Sequence, residues 1–385
     1  MDLQAIMVLA FGRVSLLEIC SVFSRKLKSV EMPCERVALI EFSKVEEDVT
    51  RLAGIHKLAS PVVIAGDTNF TESTKAFLEK TLDYQDDIAN FSVSSYCHGA
   101  SDVGYDDTVA TILSGLRESG FRKINLIRPK DRELKADEIV SRGVLDIVEV
   151  FHKGNHYLAP TVLVSDYDAF HSRGTGRPFP SSEITLSPRL AKTLLNLTGL
   201  SEGETLLDPF CGSGTIISEG ALTSLNCIGI DSNPKRVAQA RQNLDWLESQ
   251  SGRALSYRFE VGDARSLEER LTKVDGIATE PILLPRFSSR PSRKKAKDLF
   301  NKASRVYSEA LYSMAEVLRK GSRVALTVPT LKASDGSEVS MRLEDTSDVG
   351  LKEFQPGHAR FEYPVKVAFE STRWLGRAIY VFERT

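Results

Sequence analysis

A chain of 385 residues, 42% hydrophobic and 26% charged, has room for two or three ordinary globular domains, each with its own core. A formal net charge of −2 gives no global attraction to a polyanion, so any affinity for nucleic acid must come from local patches. Cys20, Cys34, Cys97, Cys211 and Cys227 are odd in number and lack Cys-x-x-Cys spacing, which favours a reducing cytoplasm and no structural zinc, and the apolar run Ala5 to Phe11 is too short for a membrane span and has no basic segment before it.

The chain begins as a small α/β module over residues 1–70. Ala5 to Ala10 suits a strand, Ser15 can cap a helix through Lys28, Arg36 to Phe42 suits a second strand, Val45 to Gly54 a helix, and Pro61 to Ala65 a third strand. Nothing here carries chemistry. His56 has no second metal-type residue at ligand spacing, so it reads as a core or surface histidine, and no metal is expected. The polar stretch Phe70 to Asn90 reads as a helix leading into the next module.

Residues 71–165 give a sharper pattern. Phe91 to Tyr96 alternates as a strand. Asp106 or Asp107 can cap a helix carrying Val109, Ile112, Leu113 and Leu116 that Gly120 closes. Lys123 to Pro129 is a strand ending in Arg128-Pro129, Ala136 to Val140 a helix, and Leu145 to Phe151 and Tyr157 to Val164 two further strands. This order resembles a THUMP domain, the tRNA-end-binding module of several RNA-modifying enzymes. Arg128 and Lys130, in a cluster with Arg122, Lys123, Arg132 and Lys135, would then track phosphates; without the resemblance they read as a solvated face. Residues 166–188 are rich in Gly, Pro, Ser and Arg and read as a linker, not a core element.

From residue 189 to 385 the pattern is a second α/β domain with a ligand corner. Leu206-Leu207-Asp208 suits a buried parallel strand, and Thr215, Ile216, Ile217 and Leu222 lie at helical spacing beyond the turn Pro209-Phe210-Cys211-Gly212-Ser213-Gly214. Gly212 and Gly214 allow a positive-φ bend and a close ligand, and the following helix points its free N–H groups into the crevice. Asn226 to Asp231 is a second strand ending in an acid, able to hold both ribose hydroxyls of a nucleoside; Ser232-Asn233-Pro234 opens the next helix. Strands Tyr257 to Val261 and Val274 to Ala278 end in Gly262-Asp263-Ala264 and Thr279-Glu280-Pro281. Polar groups thus gather at carboxyl ends of strands, where open α/β sheets bind ligands, and the Gly-x-Gly-x-x-Gly phosphate fingerprint is absent.

Asp208-Pro-Phe-Cys-Gly-Ser-Gly-Thr215, Gly229-Ile-Asp231 and Gly262-Asp-Ala264 resemble the S-adenosylmethionine site of THUMP-containing tRNA guanine-N2 methyltransferases, which act on guanosine ten of tRNA. The resemblance implies a Rossmann-like class I methyltransferase domain behind the N-terminal module and the THUMP-like domain. It implies S-adenosyl-L-methionine as cofactor, with Asp208 and the turn Phe210, Cys211, Gly212, Ser213, Gly214 and Thr215 around the methionine, Asp231 with Ser232 at the ribose, and Asp263 with Ala264 beside adenine. It implies tRNA as partner, a cytoplasmic location, and leaves a small activating protein subunit open. The family's run before its catalytic domain resembles Asp166-Tyr167 and Arg177-Pro178, which would bring Phe179 and Ser187-Pro188 near the donor.

The acceptor motif departs from the family. An exocyclic amine must have its N–H groups bound and its lone pair freed, which Asp-Pro-Pro-Tyr or Asn-Pro-Pro-Tyr does there. Here Glu280-Pro281-Ile282-Leu283 stands instead. Either Glu280 accepts from the amine with Pro281 fixing the backbone and Leu283 or Phe287 covering the base, or catalysis is lost and a tRNA-binding subunit remains, or another base is the acceptor. Arg290, Arg293, Lys294 and Lys295 follow in the strongest basic run of the chain, without an acid from 286 to 297, placed to meet phosphates at the mouth of the site. Tyr307, Leu311 and Val317 suit a helix, Val324 to Val328 a fifth strand, and Tyr363 to Phe369 with Arg377 to Phe382 an antiparallel hairpin at the sheet edge.

Overall fold

The computed structural model describes residues 3–43, 48–65, 88–97, 104–118, 120–180, 186–281, 289–367 and 374–385. They fall into two units: Met1–Gly12 with Arg25–Thr50 and Ile55–Asp168, and Arg13–Ser24 with Arg51–Gly54 and Ala169–Thr385. Helix α1 (Arg13–Val22) therefore counts with the second unit although its flanking strands count with the first.

The first unit is built on β1 (Leu3–Leu9), β2 (Leu27–Cys34), β3 (Val37–Phe42), β4 (Ile55–Ala59), β5 (Val63–Ala65), β6 (Ile88–Tyr96), β7 (Lys123–Leu126), β8 (Leu145–His152) and β9 (Asn155–Val164). Their order is β2-β3-β1-β4-β9-β8-β6-β7, with β5 also on β9. Strand alternation sends side chains to two cores. Ile147 packs with Phe91, Val93 and the apolar stripe Val109, Ile112 and Leu116 of α2 (Tyr105–Glu118), while Val148 and Val150 pack with Ile6, Val8 and Val37. A short helix, α3 (Ala136–Arg142), ends on Gly143 in the left-handed conformation. Lys57 is fully buried here, donating to Asp146 Oδ2 at 2.8 Å and Ser94 Oγ at 3.1 Å, while the Ser94 and Thr161 hydroxyls donate to the same carboxylate. A charged pair is tolerable in such a place only because these extra bonds satisfy it.

Helix α4 (Tyr167–Thr175), which enters the second unit at Ala169, and α5 (Pro188–Leu197) precede a sheet of β10 (Thr205–Asp208), β11 (Asn226–Asp231), β12 (Tyr257–Val261), β13 (Val274–Thr279), β14 (Leu318–Lys332), β15 (Glu338–Ser340), β16 (Leu351–Glu353), β17 (Val365–Lys366) and β18 (Leu375–Arg384). Its order is β12-β11-β10-β13-β14-β18-β16, with β15 on β14 and β17 on β18. The first five strands are parallel and β18 is antiparallel to β14. The crossovers include α6 (Thr215–Ala221), α7 (Pro234–Ser251) and α8 (Arg293–Val317). Val237, Ala240, Leu244 and Leu247 form the buried face of α7, as their spacing predicts, and α5 lies against β13 and β14. This is the open, doubly wound Rossmann-like architecture, completed by antiparallel strands.

Several expectations change. Helix α1 stops at Val22, and Leu27 and Lys28 already belong to β2, a strand whose half-exposed pattern concealed it. Residues 48–51 form a 3-10 turn, and the rest of the expected 45–54 helix includes residues outside those described. The helix expected over 70–90 also lies mostly outside them, and 88–90 begin β6. The linker contains a real helix, α4, which ends where Gly174 and Gly176 weaken helical propensity. At the carboxyl terminus β18 sits inside the sheet between β14 and β16, so the expected edge hairpin is corrected: its second strand is internal. Cys34 and Cys97 are joined in a disulfide with Cα atoms 5.7 Å apart, which their scattered positions gave no reason to expect; Cys20, Cys211 and Cys227 are free and buried. Among the described residues no helix is long and apolar enough to cross a membrane, and no group of His, Cys, Asp and Glu could hold a metal ion.

Candidate active site

Strand order reverses at β10, which has β11 on one side and β13 on the other, and such a switch opens a crevice beyond the carboxyl ends. A cavity of about 650 Å³ lies there. Asp208, Phe210, Cys211, Gly212, Ser213, Thr215, Asp231, Ser232, Asp263 and Ala264 line it, together with Glu280 and Pro281. Gly214 does not line it. Its φ of 84° starts α6, and a Cβ there would stand 3.1 Å from Leu244 Cδ2 and 3.2 Å from Ala240 Cβ, so glycine is needed where α7 packs on the turn.

The acids hold the turn before they hold any ligand. Asp231 Oδ2 accepts from the Gly212 N–H at 3.0 Å and Oδ1 from the Asn233 N–H at 2.9 Å, which ties the end of β11 to the turn after β10. Asp208 is buried; its Oδ1 accepts from Thr279 Oγ1 at 2.7 Å and from the Phe210 N–H at 3.2 Å. Burial pushes its carboxyl up to about 7 against those bonds, with Asp231 and Glu280 adding repulsion. Neither Asp208 nor Asp231 has a cationic partner among the described residues. Asp263 differs. Arg265 grips both its oxygens, at 2.7 to 3.1 Å, and reaches Glu309 at 3.2 Å; hydrogen bonding from Arg265 holds the Asp263 carboxyl below its usual range.

The linker braces this corner from behind, which the sequence indicated only through the family run. Arg177 donates through Nη2 to Thr215 Oγ1 at 3.0 Å and Ser213 Oγ at 3.3 Å. Burial pushes its guanidinium down to about 10, with Glu219 opposing. Glu219 in α6 takes a two-point bond from Arg173, and Asn243 in α7 bonds the Phe179 N–H and carbonyl as well as the Ser213 carbonyl. Phe179 thus supports the turn, whereas among the described residues of this stretch Leu186 lines the cavity. Ser187 instead caps α5, accepting from the Leu190 N–H at 3.2 Å.

At the end of β13, Glu280 is paired. Arg377 Nε donates to Oε1 at 2.5 Å and Nη2 to Oε2 at 3.4 Å, and Thr327 Oγ1 lies 3.5 Å from Oε1. No spacing rule could have found Arg377, 97 residues away on another strand. Leu283 and Phe287, expected to cover a base, lie outside the described residues.

The RNA-contact candidates fall in both units. Arg128 and Lys130 are exposed in the first, and Arg128 is paired with Asp106 at 3.0 Å. Arg290, Arg293, Lys294 and Lys295 are exposed in the second, the last three in the first turn of α8 after the cap Ser292. Three cations and no acid at the positive end of a helix oppose its dipole, so helix stability does not explain them.

Residues 177–337 match a protein family described as UPF0020: RMKL-like, methyltransferase domain. The chain is 33% identical over 214 residues to the tRNA (guanine(10)-N2)-dimethyltransferase of Methanothermobacter thermautotrophicus, covering 54% of this chain and 57% of that protein. It is 31% identical over 134 residues to a protein of Methanothermococcus thermolithotrophicus named as a probable enzyme of the same kind, covering 34% of this chain and 81% of the relative. The alignment thus spans little more than half of the first relative and most of the second. The crystal structure of TrmN from Thermus thermophilus matches across the full length of both chains with a TM-score of 0.55 at 18% identity, a likeness of fold. By sequence the chain belongs to the tRNA guanine-N2 methyltransferase family.

Proposed function

We propose that this protein transfers a methyl group from S-adenosylmethionine to the exocyclic N2 of a guanosine in tRNA, at position ten. The observation that carries the donor reading is the pair Asp208 and Asp231 beside a glycine turn. A buried acid at about 7, with a second carboxylate near it and no cationic partner among the described residues, is a place where a cationic ligand relieves repulsion. The donor carries a sulfonium and an ammonium, and a cavity of about 650 Å³ is in the range for a molecule of that size. Asp231 keeps lone pairs for ribose hydroxyls after its two backbone bonds. The donor supplies an electrophilic methyl: the nitrogen lone pair forms the N–C bond, the S–C pair returns to sulfur, and a proton leaves the nitrogen for solvent.

The chain's own part on the acceptor side is to orient the amine. In this reading Glu280 accepts an N–H, the Pro281 backbone fixes the approach, and the lone pair is turned toward the methyl. A guanine stacked in a helix cannot enter such a cavity, so the nucleotide is flipped out of its stack. The THUMP-like part, with Arg128 and Lys130, and the basic turn of α8 hold phosphates and so place the tRNA without reading its sequence. The archaeal relatives named for guanine ten support the position. Incubation with labelled donor and unmodified tRNA transcripts, followed by nucleoside analysis, tests the proposal. N2-methylguanosine at position ten is the expected product; a different modified nucleoside moves the target, and no label on any tRNA leaves a binding subunit.

A further inference from the structure

We infer that Arg377 is a positioning residue for the acceptor: it holds Glu280 by Oε1 and so presents Oε2 to the target amine. The inference rests on the proposed reaction and on the asymmetry of one ion pair. Oε1 takes the 2.5 Å bond from Arg377 Nε and faces the Thr327 hydroxyl at 3.5 Å, whereas among the described residues Oε2 meets only Nη2, at 3.4 Å. One oxygen is committed and the other has accepting capacity left. Glu280 lines the cavity and Arg377 stands behind it on β18, across the intervening β14; both side chains are largely buried, at 13% and 15% exposure.

The arrangement answers a difficulty in the sequence. Glutamate has one more rotatable bond than the aspartate or asparagine of the family motif, so an unrestrained Glu280 would spread over several rotamers. It would also swing away from Asp208 and Asp231, which share the cavity and its sign of charge. A guanidinium is planar and donates in a fixed fork, which fixes the plane of the carboxylate as an ammonium cannot. Arg377 also offsets one negative charge and is not itself among the residues that line the cavity.

The test is a steady-state comparison of wild type, Arg377→Lys, Arg377→Gln, Glu280→Gln and the double variant Glu280→Gln/Arg377→Gln, with unmodified tRNA transcript as acceptor. Arg377→Gln should lose about 10- to 100-fold in kcat, the scale of a misplaced reacting group, with KM for donor and tRNA nearly unchanged. Arg377→Lys should fall between it and wild type, because charge returns without the fork. The double variant should be no slower than the slower single, since both remove one unit. A brace that only holds β13 to β18 predicts instead a lower melting temperature with kcat kept, and Arg377→Lys, which spares most packing, reads this even where Arg377→Gln folds poorly. Wild-type kcat in Arg377→Lys and Arg377→Gln, or losses that multiply in the double variant, overturn the inference while the proposed reaction stands. Absence of transfer by wild type to any tRNA overturns both.

Discussion

The proposed donor corner and the proposed acceptor floor line one cavity but are built differently. At the donor corner the acids bind mainly backbone groups, Asp231 the Gly212 and Asn233 N–H groups and Asp208 that of Phe210, with Thr279 and Arg177 adding side-chain bonds. At the acceptor floor the arrangement is made by side chains from three strands, Glu280 after β13, Thr327 on β14 and Arg377 on β18. A backbone-held site constrains a contiguous motif and tolerates little change. A side-chain-held site can replace one acid by a longer one when a distant residue compensates, and under the proposed reaction Arg377 is that residue for Glu280.

The change that most sharply separates the two is Glu280→Ala. If Glu280 acts mainly in the transition state, kcat should fall roughly 10²- to 10³-fold, as for other single groups that stabilise a developing charge. Donor and tRNA affinities should stay within about twofold by calorimetry and filter binding. Glu280→Gln keeps a carbonyl acceptor and should retain more activity than alanine. Full activity in Glu280→Ala would assign the amine to the Pro281 backbone or to another group.

Asp231→Ala should do the reverse, weakening donor binding by about 1 to 3 kcal/mol as ribose hydroxyls lose their acceptor. Because Asp231 also anchors Gly212 and Asn233, some of that loss comes from a looser turn. Asp231→Asn, which keeps acceptor oxygen for one of these bonds, should lie between. Unchanged donor affinity in a folded Asp231→Ala protein would take this residue out of the site.

The same contrast explains what could be read from the chain. Leu206-Leu207, the cap Asn233-Pro234 and the stripe Val237, Ala240, Leu244 and Leu247 are local signals, and they lie in the strand and helix they predict. Arg377 and Arg265 were not legible as partners, because an ion pair across strands leaves no periodic trace. Helix α4 was hidden by Gly174, Gly176 and Pro178, which mark its end yet read as a loop throughout. The fully buried Lys57 reads as exposed from its residue type, and only Asp146, Ser94 and Thr161 make its burial possible.

A smaller effect concerns protons at the donor corner. The Asp208 carboxyl is raised from 3.8 to about 7, so in the ligand-free protein it holds a proton below that pH. A raised carboxyl lowers folded-state stability as pH climbs from near 4 through about 7, since the unfolded chain releases the proton sooner. A cationic donor favours the ionised form, so its affinity should rise with pH and level off above about 7, by no more than tenfold per unit. Donor calorimetry from pH 5.5 to 8.5 on wild type and Asp208→Asn checks this: the wild-type slope should flatten in the variant. The neutral thioether product should show a shallower slope than the sulfonium. Identical slopes for wild type and variant would mean that Asp208 is not the group titrating.

The smallest effect lies outside the cavity, where the basic turn of α8 tests whether the acceptor side extends to phosphate. Changing Arg293, Lys294 and Lys295 together to glutamine should lower tRNA affinity on the order of tenfold at moderate salt. The slope of log affinity against log salt should shrink by about 0.7 to 0.9 for each phosphate contact removed. Donor affinity should not move. The helix itself should melt no earlier, because the three cations stand at its positive end, where they oppose the dipole. That opposite sign makes the experiment decisive: weaker RNA binding in a protein at least as stable as wild type is recognition lost, not structure. An unchanged salt slope would return these residues to a solvated helix face and leave phosphate contact to other parts of the chain.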